Sequence, residues 1–388
     1  MSDHEVGALL VGGGVAAARC ARGLRRAGFA GSILLVGAEE KPPYNRPPLT
    51  KELLRDALPD ELAFAEPMTW YARRSIDLRL GTAVTALDPE RRTATFDDGA
   101  TVHFERCLLA TGAEPRPLPI EGGSLALEVR TLDDVRRLRA AAEASPGGGV
   151  TVIGGGFIGV EVASSLAALG LRPTIVELAG HLWGGALGTE LAAWARERLE
   201  GAGIGVRLGG GVDALEDGAA RIGRERLEHA FAVAGVGVRP RIGLAADAGL
   251  VVDDGVVTDA AQRTSHPAVW AAGDVARTAG RRVEHWHAAR EAGERAAASM
   301  TGDDASPIPV PWLFTEVAGM AVDVIGAAEG WDEERWLAGG SVLAYVADRR
   351  VVQLAVIGAA LDAGVARRLV GEGAAVGAIE AVVGSSEG

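Results

Sequence analysis

Cysteine is nearly absent from this 388-residue chain: only Cys20 and Cys107 occur, far apart and in no C-x-x-C or C-x-x-x-x-C arrangement. A dithiol redox centre is therefore not expected. Both are read as small buried apolar side chains of a reducing compartment. Surplus positive charge is missing too. At a formal net charge of -13, the chain lacks the excess of Lys and Arg that broad nucleic-acid binding needs to neutralise phosphate. No apolar run approaches the roughly 20 residues that span a bilayer. The start, Met-Ser-Asp-His-Glu, has neither the basic residues nor the long apolar region of a secretory leader. The expectation is a cytoplasmic protein that binds neither nucleic acid nor membrane, and no metal ligand set stands out.

What the chain has in quantity is glycine, 54 residues, much of it clustered beside apolar runs where backbone must turn tightly or approach a ligand. Gly7 to Gly12 is a short aliphatic run, followed by AAARCARGLRRAG with the spacing of an amphipathic helix, and then by the apolar run Ser32 to Val36. Strand, turn, helix and strand make a βαβ unit with parallel strands. The same order recurs at Val150 to Ile153, GGGFIGVEVASSLAALG and Arg172 to Glu177. Between the two units, Ala83 to Leu87, Arg92 to Phe96 and Val102 to Ala110 read as short strands, leading into the proline-rich exit ATGAEPRPLP. Downstream come an apolar strand broken at HAFAVAGVGVRPRIGLA, a long helix from Trp286 to Met300, and a linker, SPIPVPW. Then VDVIGAA, SVLAYVAD and RVVQLAVIGA read as strands before a helix at Ala363 to Gly371, with the tail GSSEG frayed. The length itself suggests roughly two or three domains. The expected fold is α/β: two tandem Rossmann-like dinucleotide-binding domains plus a small α+β C-terminal domain. Their bounds fall at 1–115 with 243–304, at 116–242, and at 305–388.

Each unit carries a glycine pattern suited to a pyrophosphate. The first reads Gly12-x-Gly14-x-x-Ala17, with Val15 and Ala16 inside it. The first glycine permits the tight turn, the second admits the phosphates, and the small third residue packs helix on strand at a helix N-terminus that favours anions. An acidic residue about twenty positions on should bind ribose hydroxyls, and in VGAEE either Glu39 or Glu40 serves. The second unit has the full Gly154-x-Gly156-x-x-Gly159, enclosing Phe157 and Ile158, and a strand ending at Glu177. A carboxylate there accepts from both ribose hydroxyls and repels a 2′-phosphate, which favours NADH over NADPH. His181, the nearby cation, is read as a surface residue of the loop.

With these motifs in view, the chain resembles the FAD-dependent pyridine-nucleotide oxidoreductases, specifically the ferredoxin and rubredoxin reductases of bacterial oxygenase systems, relatives of apoptosis-inducing factor. The resemblance runs over nearly the whole chain. It is most specific at PPYNRPPLTKELL, similar to the family's P-Y-x-R-P-P-L-S-K with Thr50 in the serine position, and extends through ATGAEPRPL, AAGDVA and VEHWHAA in the family's order. It implies FAD on the first unit and NADH as co-substrate on the second. Arg46 would then lie along the FAD pyrophosphate and Lys51 against the isoalloxazine, where a cation stabilises a reduced ring. Ala110, Thr111 and Gly112 would pass close to FAD, Asp274 would bond the ribityl chain, and the Trp286 backbone would meet the pyrimidine end. Ala83, Val84, Arg116, Gly273, Glu284, His285, Ala289 and Phe314 would complete the flavin side, and Gly237 the NAD side. Glu161 would approach the nicotinamide and pair with Lys51.

The implied partner is a ferredoxin or rubredoxin, and the implied assembly a monomer or weak homodimer. An acidic acceptor would need a local basic patch, for which Arg349, Arg350, Arg367 and Arg368 are candidates, although scattered solvated charges describe them better. In VPWLFTEVAGM the chain departs from the family, with Phe314 in place of a tryptophan, which leaves the acceptor's identity open. The alternatives are an NADH oxidase, peroxidase or disulfide reductase, which would need a cysteine beside the flavin, and an apoptosis-inducing-factor-like protein that senses NADH.

Overall fold

A computed structural model describes residues 4–303 and 307–384; residues 385–388 of the tail and Ser306 at the head of the linker lie outside them. The chain divides into two compact units. One consists of Met1–Arg46, Pro59–Glu114 and Val238–Pro309, the other of Pro47–Leu58, Pro115–Gly237 and Val310–Gly388. Among the described residues no helix is long and apolar enough to cross a membrane.

At the centre of the first unit is a parallel sheet. Strand His4–Val11 pairs on one side with Ile33–Gly37, which pairs with Ile76–Leu80, and on the other with Thr101–Leu109, which pairs in turn with Val269–Ala271. Strands Val84–Asp88 and Thr93–Phe96 add on antiparallel at the opening half of Thr101–Leu109. Where the sheet is buried on both faces, as along Ile33–Gly37 and the closing half of His4–Val11, its residues are apolar without interruption. Ala8 and Leu10 meet helices Val15–Arg26 and Trp286–Met300, whereas Leu9 and Val11 pack with Phe96, Phe104 and Leu250. The two helices are alanine-rich where they touch, so their backbones approach closely. A Cβ on Gly23 would lie 2.6 Å from that of Ala297, and one on Gly293 would overlap the Ala16 carbonyl.

The second unit contains a four-stranded parallel sheet, ordered Gly205–Leu208, Arg172–Glu177, Gly149–Ile153 and Phe231–Ala234. Its helices include Phe157–Ala168, Thr189–Gly201 and Leu132–Glu143, the last opened by a capping box between Thr131 and Asp134. A meander of Ala214–Glu216, Ala219–Ile222 and Glu225–Glu228 adjoins it. The same unit holds a five-stranded antiparallel sheet in the order Trp312–Val317, Met320–Gly326, Arg350–Ile357, Val342–Ala347 and Glu333–Leu337. Ala344, Leu354 and Val356 of that sheet form a core with Leu369 and Ile379 from helices Ala363–Gly371 and Val376–Gly384.

Several elements escape the sequence reading: strands Ile76–Leu80, Trp312–Val317 and Glu333–Leu337, the meander, and helices Leu132–Glu143, Thr189–Gly201 and Val376–Gly384. The segment read as one broken strand at 229–245 is two strands, Phe231–Ala234 and Val238–Pro240, and a short helix, Gly243–Asp247. Gly237, at φ 92°, marks the break.

Candidate dinucleotide sites

In the first unit the parallel strands end level with one another, because Val11 pairs with both Val36 and Leu109, and Leu109 with Ala271. Four turns therefore open on one edge: Gly12–Gly14, Gly37–Glu39, Ala110–Gly112 and Ala272–Asp274. The strand order reverses across His4–Val11, and the carboxyl edge at such a point is where open α/β sheets hold ligands. Gly12 has φ 129° and a Cβ there would overlap the Ala110 carbonyl, whereas a Cβ on Gly14 would meet nothing within 4 Å. Gly14 caps the helix that begins at Val15 with no side-chain bond, leaving first-turn N–H groups for an anion. Ala17 is fully buried against the sheet. A Cβ on Gly273 would stand 3.1 Å from that of Ala16 and 3.7 Å from that of Ala289, so three expected residues converge.

Of the two glutamates left open, Glu39 is the one drawn into this edge. Its carboxylate accepts from Tyr44 Oη at 2.6 Å and Arg46 Nη2 at 3.4 Å. Glu40 instead lies beside Gly81. The Gly81 and Thr82 N–H groups donate to the Glu39 and Gly37 carbonyls, which sets Ala83 and Val84 next to the same turn. Thr111 Oγ1 donates to the Arg241 carbonyl and the Gly112 carbonyl accepts from Arg241 N. Glu284 pairs with Arg282. His285, at the N-cap of Trp286–Met300, has its pKa lowered by burial, against the opposing pull of the Asp274 carboxylate. Asn45 went unnoticed in the sequence; its Oδ1 accepts from Trp286 Nε1 at 2.8 Å, and only the fold brings residues so distant together.

The second unit repeats the arrangement. Ile153 pairs with Val176 and Ala234, and the turn beyond it begins at Gly154, φ 105°, where a Cβ would lie 2.5 Å from the Gly235 carbonyl oxygen. A Cβ on Gly159 would overlap the Gly154 carbonyl, while Gly156 has no neighbour closer than 4.0 Å. Gly156 caps helix Phe157–Ala168 without a side-chain bond. The Glu177 carboxylate accepts from Gly155 N at 2.5 Å and Ala179 N at 2.7 Å, which fixes it against the glycine turn. Phe157 stacks on Trp183 with centroids 5.8 Å apart, and Ile158 is partly exposed. The Arg116 N–H donates to the Gly237 carbonyl at 2.9 Å. His181 engages the neighbouring Leu182 carbonyl. Trp183, buried and at φ 55°, has no motif to announce it.

Also in this unit, Lys51 Nζ lies 2.6 Å from Glu161 Oε2 and 5.6 Å from the centre of the Phe314 ring. Both partners of the ion pair are buried. The two cysteines are fully buried, and burial pushes both thiols far above their ordinary pKa, so neither supplies a reactive thiolate. Three of the four candidate docking arginines are engaged locally: Arg350 with the Gly373 carbonyl, Arg367 with the Val310 carbonyl, and Arg368 with Glu372.

Both glycine turns fit a dinucleotide: each has a glycine that nothing crowds, an uncapped helix N-terminus and a carboxylate at the end of the next strand. Two such cradles in one chain define a flavin- and nicotinamide-dependent oxidoreductase. The family model described as pyridine nucleotide-disulphide oxidoreductase matches residues 8–293, and the chain belongs to this family. It is 35% identical over 385 residues to the ferredoxin--NAD(+) reductase component of the anthranilate 1,2-dioxygenase system of Burkholderia cepacia, covering 94% of each chain. To the rubredoxin-NAD(+) reductase of Pseudomonas putida it is 31% identical over 340 residues, 84% of this chain and 88% of that one. Among solved structures, the covalent putidaredoxin reductase-putidaredoxin complex superposes with a TM-score of 0.90 at 27% identity, covering 96% of this chain and 94% of that one. The α/β fold is that of the FAD- and NAD-dependent reductases, and the cofactors are FAD and NAD(H).

Proposed function

We propose that the chain is an NADH-dependent reductase that passes electrons through FAD to a ferredoxin-type iron–sulfur protein, feeding an oxygenase or a cytochrome P450 in the cytoplasm. The observation that carries this reading is a pair of cradles, each with its own carboxylate, in a protein whose cysteines are both buried. Disulfide reduction would need an accessible thiolate.

In this reading Gly12, Gly14 and the first turn at Val15 hold the FAD pyrophosphate, Glu39 takes the adenosine ribose, and Asp274 the ribityl chain. Gly154, Gly156 and Gly159 receive the NADH pyrophosphate, and Glu177 accepts from its ribose hydroxyls. Bound FAD supplies the chemistry, accepting an electron pair from NADH and releasing electrons singly. Lys51 contributes a fixed positive charge that favours the reduced ring, and Glu161 holds that lysine in place. Orientation and electrostatics are the whole of the protein's task, with no acid–base residue required.

The test is to reduce the purified protein with NADH under argon and then mix it with a panel of ferredoxins and rubredoxins. Reoxidation by an iron–sulfur protein within the catalytic cycle supports the reading. Fast reduction by NADH followed by slow reoxidation with every acceptor would overturn it.

A further inference from the structure

Loop 178–188, which no sequence motif marks, lies directly against the second glycine turn. A Cβ on Gly155 would stand 2.8 Å from Leu182 Cδ2 and 3.0 Å from the Glu177 Cβ, so the middle residue of Gly154-x-Gly156 must be small as well. Both peptide planes that flank Gly155 are held from this side. Its N–H donates to Glu177 Oε2 at 2.5 Å, and its carbonyl accepts from Trp183 N at 2.9 Å. The peptide joining Gly155 to Gly156 is trans, so its N–H points opposite to its carbonyl. A carbonyl turned onto the loop therefore sends the Gly156 N–H away from it.

Trp183 is 2% exposed and adopts φ 55°, in the left-handed region that a bulky residue occupies only where its surroundings over-determine it. Three contacts do so here. Its N–H takes the Gly155 carbonyl, and its own carbonyl accepts from Ala186 N at 2.9 Å. Its ring stacks at 28° on that of Phe157, the first residue of helix Phe157–Ala168. The indole Nε1 is buried with no hydrogen-bond partner among the described residues. The ring is therefore held by its face and not by its N–H. At its far end the loop is tied down again, where Thr189 N and Glu190 N donate to the Glu334 carboxylate at 3.2 and 3.0 Å.

We propose that Trp183 is a positioning residue for the nicotinamide dinucleotide. It fixes the Gly155–Gly156 peptide through its backbone and the first residue of the following helix through its ring, so that the pyrophosphate meets N–H groups already set in place. The inference rests on the function proposed above, which seats NADH on this turn, and every residue involved belongs to the second unit. Rings in stacked contact are worth up to about a factor of ten beyond the area they bury. A preformed turn serves the bound dinucleotide equally before and during hydride transfer, so its effect belongs to KM and not to kcat.

The experiment is calorimetric titration of the FAD-loaded protein with NAD+, wild type beside Trp183→Ala and Trp183→Phe, with flavin reduction followed over a range of NADH concentrations. Flavin content and circular dichroism establish that each variant is folded. Trp183→Ala should weaken NAD+ binding about tenfold, raise the NADH concentration for half-maximal reduction by the same factor, and leave the saturated rate unchanged. Trp183→Phe, which keeps a ring to stack, should bind as the wild type does. Wild-type affinity in Trp183→Ala would overturn the proposal, as would an equal loss in Trp183→Phe or a slower saturated rate with affinity intact. If Trp183→Ala does not fold, Trp183→Leu fills the space without an aromatic face and should show the same loss; wild-type affinity there counts against the proposal. A wild-type protein that neither binds NAD+ nor is reduced by NADH would defeat the broader functional reading. One that does both, beside an indifferent Trp183→Ala, would defeat this inference alone.

Discussion

Lys51 Nζ and Glu161 Oε2 stand 2.6 Å apart in side chains only 7% and 6% exposed. Removing one partner of such a pair strands a charge in a poorly solvated place. Glu161→Ala should therefore lower the unfolding free energy by about 3–5 kcal/mol. Lys51→Met should be milder in stability, because Glu161 keeps two hydroxyl donors, Thr50 and Thr315. It should nonetheless slow flavin reduction by NADH roughly a hundredfold, the usual loss when a fixed stabilising charge is removed. Denaturant titration and rapid-mixing absorbance check the two halves, and wild-type reduction kinetics in Lys51→Met would remove the lysine from the mechanism.

Glu177 binds the glycine turn through the Gly155 and Ala179 N–H groups and faces the ribose in the proposed function. Glu177→Gln retains a carbonyl acceptor and removes the charge that repels a 2′-phosphate. The ratio of NADH to NADPH in kcat/KM should fall at least about tenfold. An unaltered ratio would place cofactor selection elsewhere.

The two glycines of the first cradle should fail in different ways. A side chain on Gly14 meets open space, so Gly14→Val should fold with the secondary structure and apoprotein stability of the wild type and yet bind no flavin. Gly12, at φ 129° and hard against the Ala110 carbonyl, serves the turn itself. Gly12→Ala should cost about 1–3 kcal/mol in the apoprotein, measured by chemical unfolding. A yellow Gly14→Val protein would show that the open space is not the flavin's.

The strands that reveal themselves in the sequence are those buried on both faces, such as Ile33–Gly37, because parallel central strands are written in unbroken aliphatic runs. Helices Trp286–Met300 and Ala363–Gly371 are equally plain. The meander at 214–228 is not, since its short strands carry charges such as Glu216, Arg226 and Glu228 on exposed faces and lack a continuous apolar stripe. Leu132–Glu143 was announced by Thr131 and Asp134 and could have been read from that cap. The glycine turns and their carboxylates were legible as motifs because their spacing is local. Thr315 and Asn45 were not: their partners are 154 and 241 residues away, and only folding brings them together.

Two histidines give the protein an acid-sensitive component of stability. His285 and His229 both have pKa values lowered chiefly by burial, so the unfolded chain takes up their protons more readily than the folded one. The stability they confer is fully present above the unfolded histidine pKa of about 6.5 and is lost as the pH falls below it. The melting temperature of the apoprotein should decline from about pH 7 toward pH 5, and His285→Gln combined with His229→Gln should flatten that decline. An identical pH profile in the double variant would assign the acid limb to carboxylates.

The most direct test is anaerobic rapid mixing of the purified, untreated protein with NADH and, separately, with NADPH. The protein should be yellow as isolated, and NADH should bleach its flavin at least about ten times faster than NADPH at equal concentration. A colourless polypeptide that cannot be reconstituted with FAD, or a flavin that only NADPH reduces, would contradict the assignment of the two cradles.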